Sequence, residues 1–238
     1  MSGLINKEIL DGITGAGPLQ ANIRLEPIQH IRLRPNVIFD IAYGKRLLHL
    51  GCTDHLSVIE RKLQNETYLH QQLTYVTAKC LGIDINEEAT KYLAGKGIHN
   101  IIVSDITSPG IKQITDYEWD YLLMAEMLEH IDNPVSFLQS IAENYKPNIK
   151  NLIITVPNAF GLIHFGNVLN NGIESINNDH RYWFTPYTLC KIAHQAGLVI
   201  DDLIMCSYEG SAGIIQSNKA LLLDKPALLD TIVLVAHW

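Results

Sequence analysis

Residues 79–86, Lys-Cys-Leu-Gly-Ile-Asp-Ile-Asn, and residues 100–107, Asn-Ile-Ile-Val-Ser-Asp-Ile-Thr, are two short hydrophobic runs that each end on an acid, Asp84 and Asp105. Upstream lies Leu47-Leu48-His49-Leu50-Gly51-Cys52, a strand-like run that ends in a glycine turn. Strand, turn, strand with acid, strand with acid is the order in which an open α/β sheet builds a ligand crevice at the carboxyl ends of its strands. A carboxylate in that position can accept both hydroxyls of a ribose, so the pattern points to a nucleoside pocket.

Working outward, strand-like and helix-like patterns alternate. Arg46–Leu50 reads as the first strand. Leu56, Ile59 and Leu63, then Leu69, Leu73 and Val76, recur at helical spacing and fit two short helices or one kinked one. The second strand, Cys80–Ile85, gives way to Asn86, a helix cap, with Glu87 and Glu88 at the positive end of the next helix. Asn100–Ser104 is a third strand and Asp120–Ala125 a fourth. Asn133-Pro134 caps a helix whose buried stripe is Val135, Phe137, Leu138 and Ile141. Leu152–Val156 is a fifth strand, Thr185-Pro186 opens another helix, and Leu198–Met205 and Thr231–Ala236 are two last strands. The region before about Tyr43 reads as loop with one helix. This alternation predicts a mostly parallel sheet covered on both faces, with right-handed crossovers.

At 238 residues the chain suits one large α/β unit, divided here as an N-terminal helical and loop extension over 1–44 and a main domain over 45–238. Eighteen basic against 25 acidic residues, a net charge of −7, disfavour passive binding to a nucleic-acid backbone. Cys52, Cys80, Cys190 and Cys206 form no close pair and read as buried small hydrophobes. No stretch approaches the ~20 apolar residues of a membrane span, so the expectation is a cytoplasmic protein without membrane contact.

Taken in order, LLHLGC, LGIDI, VSDI, WDYLLMAEMLEHIDNPVSFL, LIITVPN and DHRYWFTPYTL resemble the motifs of class I S-adenosylmethionine-dependent methyltransferases of the small-molecule and glycan-modifying kind. The resemblance runs from about residue 45 to the end. It implies a Rossmann-like, seven-stranded, mostly parallel α/β sheet with the final strand antiparallel, S-adenosyl-L-methionine as cofactor, and methyl transfer to oxygen or nitrogen of a small molecule or glycan. Carried over by motif, the cofactor-binding set is His49, Gly51, Cys52 and Asp54 after the first strand, Asp84 with Ile85, Asp105 with Ile106, and Glu126 with Met127. Asp84 would take the ribose hydroxyls, Asp105 the adenine amino group, Ile106 a place near the base, and Glu126 and Met127 the floor beneath the sulfonium.

The first motif departs from the family pattern. An acid usually precedes the turn, and two or three glycines make it; here the stretch is His49-Leu50-Gly51-Cys52-Thr53-Asp54-His55. Thr53 and His55 then either narrow the approach to the cofactor or donate contacts of their own, and Asp54 is a candidate for its ammonium. The same substitutions suit a noncatalytic adenosyl-binding or scaffold protein. They count harder against a dinucleotide, whose pyrophosphate needs the full glycine pattern.

Methyl transfer from a sulfonium is an in-line displacement in which positive charge disappears, so alignment in a dry pocket carries most of the catalysis. A base is needed only for a hydroxyl or protonated amine, and His130 and His180 are the candidate catalytic residues. Glu126, Glu129, His130 and His180 also match the E-x-x-E-H and D-H pattern of small-RNA terminal-ribose methyltransferases and some quinone-precursor O-methyltransferases, where such side chains suit a divalent ion. Glutamates in similar segments also line a cofactor floor or cap a helix, and no metal ligand is assigned from sequence. Arg24, Arg32, Arg34, Lys45 and Arg46 read as a solvated face or a site for an acidic group. Tyr182, Trp183 and Phe184 read as packing or as a stacking surface for an acceptor ring.

Overall fold

The computed structural model describes residues 7–17, 20 and 23–238. In chain order its elements are α1 (Lys7–Thr14), α2 (Arg34–Ala42), β1 (Arg46–Leu50), α3 (Leu56–Gln64), α4 (Leu69–Val76), β2 (Lys79–Asp84), α5 (Glu87–Gly95), β3 (Ile101–Val103), α6 (Lys112–Thr115) and β4 (Trp119–Ala125). After a 3-10 turn at Leu128–His130 come α7 (Pro134–Tyr145), β5 (Ile149–Pro157), α8 (Leu162–Asn171), α9 (Pro186–Gln195), β6 (Val199–Cys206), α10 (Ala212–Asp224) and β7 (Thr231–His237). The seven strands form one sheet in the order β3-β2-β1-β4-β5-β7-β6. Pairing is parallel from β3 through to β5, and β7 runs antiparallel to both β5 and β6. The antiparallel last strand and the doubly covered sheet match the fold expected from the motifs.

Side chains alternate across each central strand and feed two cores. Leu48, Leu122, Leu152 and Leu234 face the larger core, with Leu138 and Ile141 of α7 and Leu189 and Ala193 of α9. Leu47, Leu123, Ile153 and Val233 face the other, with Val37, Ile38 and Ile41 of α2 and Leu73 of α4. Each such buried aliphatic contributes about 1.5–3 kcal/mol relative to exposure. A third, smaller cluster holds α3 and α5 against the sheet edge through Ile59, Tyr68, Ala89 and Leu93.

The caps read from sequence are formed. The side chains of Asn86, Asn133 and Thr185 each accept from a backbone N–H in the first turn of their helix. The apolar positions between Leu56 and Val76 make two helices, broken at Asn65–Tyr68, where Glu66 takes a positive φ of 56°. Helix α8 has no counterpart in the sequence reading. It is amphipathic in sequence, yet none of its residues is buried. The ends of β1, β2 and β4 come side by side through registers such as Leu50 opposite Ile83 and Leu50 opposite Met124. Their following loops therefore share one edge of the sheet.

Candidate active site

Asp84 ends β2 and is nearly buried, 8% exposed. Its Oδ2 accepts the Thr53 N–H at 2.8 Å and its Oδ1 accepts the Asn86 N–H at 2.9 Å. Each oxygen keeps a further acceptor position, so the carboxylate ties down the turn after β1 and still has capacity for a diol. Ile85 beside it is 76% exposed, an apolar side chain held open at the strand end. β3 runs alongside, with Ser104 N–H donating to the Asp84 carbonyl at 2.9 Å. Asp105 follows, exposed, its Oδ1 accepting from the Thr107 N–H and hydroxyl. Ile106 turns inward and is buried in the larger core.

Gly51 has a φ of +64°, a conformation L side chains rarely adopt, and a Cβ there would stand 3.0 Å from Cγ of Met127. The backbone conformation and the closeness of Met127 together leave this position to glycine. The rest of the turn is braced from outside: the Tyr68 hydroxyl donates to the Cys52 carbonyl at 2.7 Å. The Cys52 thiol packs over Gly82, where a Cβ would lie 2.6 Å from Sγ. Asp54 is engaged by Lys62 Nζ at 2.7 Å.

A cavity of about 590 Å³ opens beside this turn, lined among others by Arg34, His49, Gly51, Thr53, Glu126 and Tyr208. Arg34 enters it from α2, held in place by its N–H on the Ser207 carbonyl. Its guanidinium lies 3.3 Å from Glu126 Oε1 and stands over the Tyr208 ring, while its buried Nε has no partner. Sequence reading placed Arg34 in a basic cluster that reads as a solvated face or a site for an acidic group. It lies 17 residues before Gly51, and the contact that delivers it is nonlocal. Glu126, at the end of β4, has a strained φ of +53°, held by its N–H on the Thr155 carbonyl and by the Thr155 hydroxyl on Oε1.

On the other side of Glu126 the 3-10 turn carries Glu129 and His130, and the loop before α9 carries His180. One ligand atom from each of these three lies within 4.8 Å of the others. Glu129 is fully buried and neither carboxylate oxygen has a hydrogen-bond partner. Burial, with the Glu126 charge nearby, holds its carboxyl well above the usual carboxylate range. His180 Nε2 stands 4.0 Å from Glu129 Oε1, and the His130 and His180 rings meet edge to face with centroids 4.6 Å apart. Asp179 Oδ2 sits 3.1 Å from His130 Nδ1 and fixes that ring's orientation. Burial and the neighbouring His130 lower the pKa of His180. The two loops are laced together, Arg181 N–H on the Glu129 carbonyl at 2.8 Å and Tyr182 hydroxyl on the Asp132 carbonyl at 2.7 Å. Beyond them, the Trp183 ring lies 4.7 Å from that of His164 on α8, while Phe184 is buried as core. The sequence reading weighed Glu126, Glu129, His130 and His180 as a divalent-ion set without assigning it; the structure gathers three of the four, Glu129, His130 and His180.

The acids at the ends of β2 and β3 and the cavity beside Gly51 fit an adenosyl cofactor: acceptors for a diol, an exposed apolar side chain, and a buried arginine with an unused donor. A family model described as a methyltransferase domain matches residues 24–203. The chain belongs to the methyltransferase-domain family.

It is a methyltransferase whose cofactor is S-adenosylmethionine. A ubiquinone biosynthesis O-methyltransferase of Aeromonas salmonicida is 26% identical to it over 169 residues, 68% of this chain and 66% of that protein. The protein of the same description from Shewanella halifaxensis is 23% identical over 211 residues, 82% and 83% of the two chains. Among solved structures, a small RNA methyltransferase superposes with a TM-score of 0.55 at 14% identity, over 90% of this chain and 27% of the other. An S-adenosylmethionine dependent methyltransferase from Mesorhizobium loti gives a TM-score of 0.50 at 12% identity, over 83% and 92%. No described helix of this methyltransferase is long and apolar enough to cross a membrane.

Proposed function

We propose that this methyltransferase methylates a hydroxyl oxygen of a small molecule, and that Glu129, His130 and His180 hold a divalent cation at the acceptor site. The carrying observation is the Glu129 carboxylate, fully buried beside two imidazoles with both oxygens unpartnered. A buried ionised carboxylate without compensation costs several kcal/mol, and a cation in this cluster offsets that cost. Mixed carboxylate and imidazole donors suit a first-row or magnesium-like ion. When bound, such an ion supplies a positive charge that eases deprotonation of a neighbouring hydroxyl.

The chain's own residues do the rest. Asp84 binds the ribose hydroxyls, and Asp105 accepts from the adenine amino group, with the exposed Ile85 beside the base. Gly51 and Met127 shape the space beside the sulfur, with Glu126 on its floor. Arg34 pairs with the cofactor's carboxylate through the donor it leaves unused. Asp179 orients His130, and His180, held neutral by burial, serves as ligand or proton acceptor. Trp183 and His164 wall the acceptor side. The low-identity likeness to O-methyltransferases of ubiquinone biosynthesis supports oxygen over nitrogen as the acceptor atom.

The test combines S-adenosylhomocysteine calorimetry with a mass-shift screen of hydroxylated metabolites, run with chelator and with added magnesium or manganese. The expected result is cofactor binding in every condition and methylated product only with the cation. Full turnover in chelator, matched by a fully active Glu129→Gln enzyme, rules out the cation.

A further inference from the structure

Helix α8 buries none of its own residues, yet it is held at both ends. Gly161, which caps it, packs against the residue just before β7 so closely that a Cβ there would stand 2.9 Å from Cα of Asp230. The His164 and Phe165 N–H groups both donate to the Gly161 carbonyl at 2.9 Å, which starts the first turn. Past the far end, Glu174 Oε1 accepts the Trp183 indole N–H at 2.5 Å. The ring of the same tryptophan lies 4.7 Å from that of His164. Trp183 therefore braces the helix twice and fixes the side on which His164 stands.

That side faces the candidate cation cluster. The Trp183 ring is 6.4 Å from that of His180, which in turn meets His130 edge to face, so four rings run in series from the cluster to α8. His164 is half-buried, and its ring nitrogens make no hydrogen bond to any described residue. Other imidazoles are committed elsewhere. His49 and His70, both buried, face each other Nδ1 to Nδ1 at 3.2 Å beneath the turn after β1, and His237 is paired with Asp201.

Methylation of a hydroxyl releases a proton, and the cluster does not supply its receiver. If Glu129, His130 and His180 hold a cation, the atoms they give it are lost to proton transfer. Nδ1 of His130 faces Asp179, and Nδ1 of His180 is buried. We propose that His164 is the catalytic base, taking the proton of the methyl-accepting hydroxyl on a free ring nitrogen as the methyl group moves. The proposal rests on the hydroxyl acceptor and on the cation proposed for Glu129, His130 and His180. An oxygen lone pair forms the new C–O bond, and the C–S bond breaks with its electron pair on sulfur. The O–H proton passes to His164, which later gives it to water. The surroundings suit this cycle. Burial lowers the pKa of His164 and keeps the ring neutral beforehand, while the carboxylates of Glu126, at the end of β4, and Asp230, before β7, favour the imidazolium once it forms. His180, the third titratable neighbour, is itself held neutral and adds no opposing charge. Ile214 and Asn218 of α10, which share a cavity with His164, carry none.

The experiment is the initial rate of methyl transfer to catechol as the probe, with magnesium present and pH varied across neutrality. His164→Gln keeps a polar side chain that takes up no proton. It is expected to lower kcat about a hundredfold or more, the range for a positioned base, and to leave S-adenosylhomocysteine affinity unchanged in calorimetry. The wild-type rate should climb with pH through one ionisation and level off by neutrality, whereas that of the variant should keep climbing toward the ionisation of the phenol itself. A variant with wild-type kcat, or one altered only in KM, overturns the proposal and leaves the cation reading standing. Wild-type turnover in chelator overturns the cation reading, and with it the need for a separate base. Wild-type protein that binds S-adenosylhomocysteine but methylates neither catechol nor any hydroxylated metabolite in the mass-shift screen overturns the hydroxyl reading beneath both. Should the variant fail to fold, imidazole ¹⁵N spectra of wild-type protein decide: a His164 ring neutral at neutral pH supports the assignment, and one already protonated there sinks it.

Discussion

At the scale of single residues, the Asp84 carboxylate does one job in the fold and is proposed for a second in the site. It accepts from Thr53 and Asn86, which fixes the glycine-poor turn, and it has lone pairs left for the ribose. Asp84→Ala is therefore expected to weaken S-adenosylhomocysteine by about 1.5–3 kcal/mol in calorimetry. An unchanged affinity removes Asp84 from the site. The placing of Asp84 and Asp105 at strand ends was legible because an acid closing a hydrophobic strand is a local signal. Arg34 was not, because nothing in His30-Ile31-Arg32-Leu33-Arg34 says which arginine turns inward. That is decided by the bridge between Leu33 and Ser207, 174 residues apart in sequence. The pairing of Glu129 with His180 was half legible: the spacing of Glu129 and His130 is local, but only the lacing of Arg181 and Tyr182 onto the 129–132 loop brings His180 to them.

At the scale of elements, β1, β2 and α4 are locked together under the turn that follows β1, with close packing at Gly82. A Cβ there would meet Cys52 Sγ at 2.6 Å, Ile101 Cγ1 at 2.8 Å and His70 Cε1 at 2.9 Å. Gly82→Ala is expected to lower stability by ~1–3 kcal/mol, the cost of overpacking, and to loosen cofactor binding by displacing Cys52. Urea unfolding of the variant at wild-type stability contradicts this packing. The His49 and His70 pair adds a pH dependence. In the unfolded chain these imidazoles protonate near 6.5, whereas folded His70 stays neutral down to about 4. Between those values the unfolded state binds more protons, so stability is full above pH 6.5 and falls as pH drops toward 4. The loss from His70 is on the order of 3 kcal/mol. Unfolding midpoints measured across this range should lose most of that slope in His70→Gln; a slope that survives intact assigns it to other groups. Strands and caps were readable because their signals are local, whereas α8 went unread although its sequence is amphipathic, and the structure buries none of its residues.

At the scale of the whole molecule, the proposed adenosyl and cation sites share the loop after β4 but otherwise draw on different elements, Arg34, Gly51 and Asp84 for the one and His180, before α9, for the other. Their ligands should therefore stabilise the fold separately. Mass action gives about 2.7 kcal/mol for a ligand at a hundred times its Kd, and a domain of this size gains roughly 2–4 °C per kcal/mol, so saturating S-adenosylhomocysteine should raise Tm by roughly 5–10 °C. Manganese or magnesium should raise the Tm of chelator-treated protein further. In Glu129→Gln the cation increment should vanish and the S-adenosylhomocysteine increment should stay, because Asp84, Gly51 and Arg34 are untouched. Loss of both increments would mean that the buried carboxylate supports the fold of the cofactor loops rather than an ion. Retention of both would mean that the three side chains gathered around Glu129 hold no cation at all.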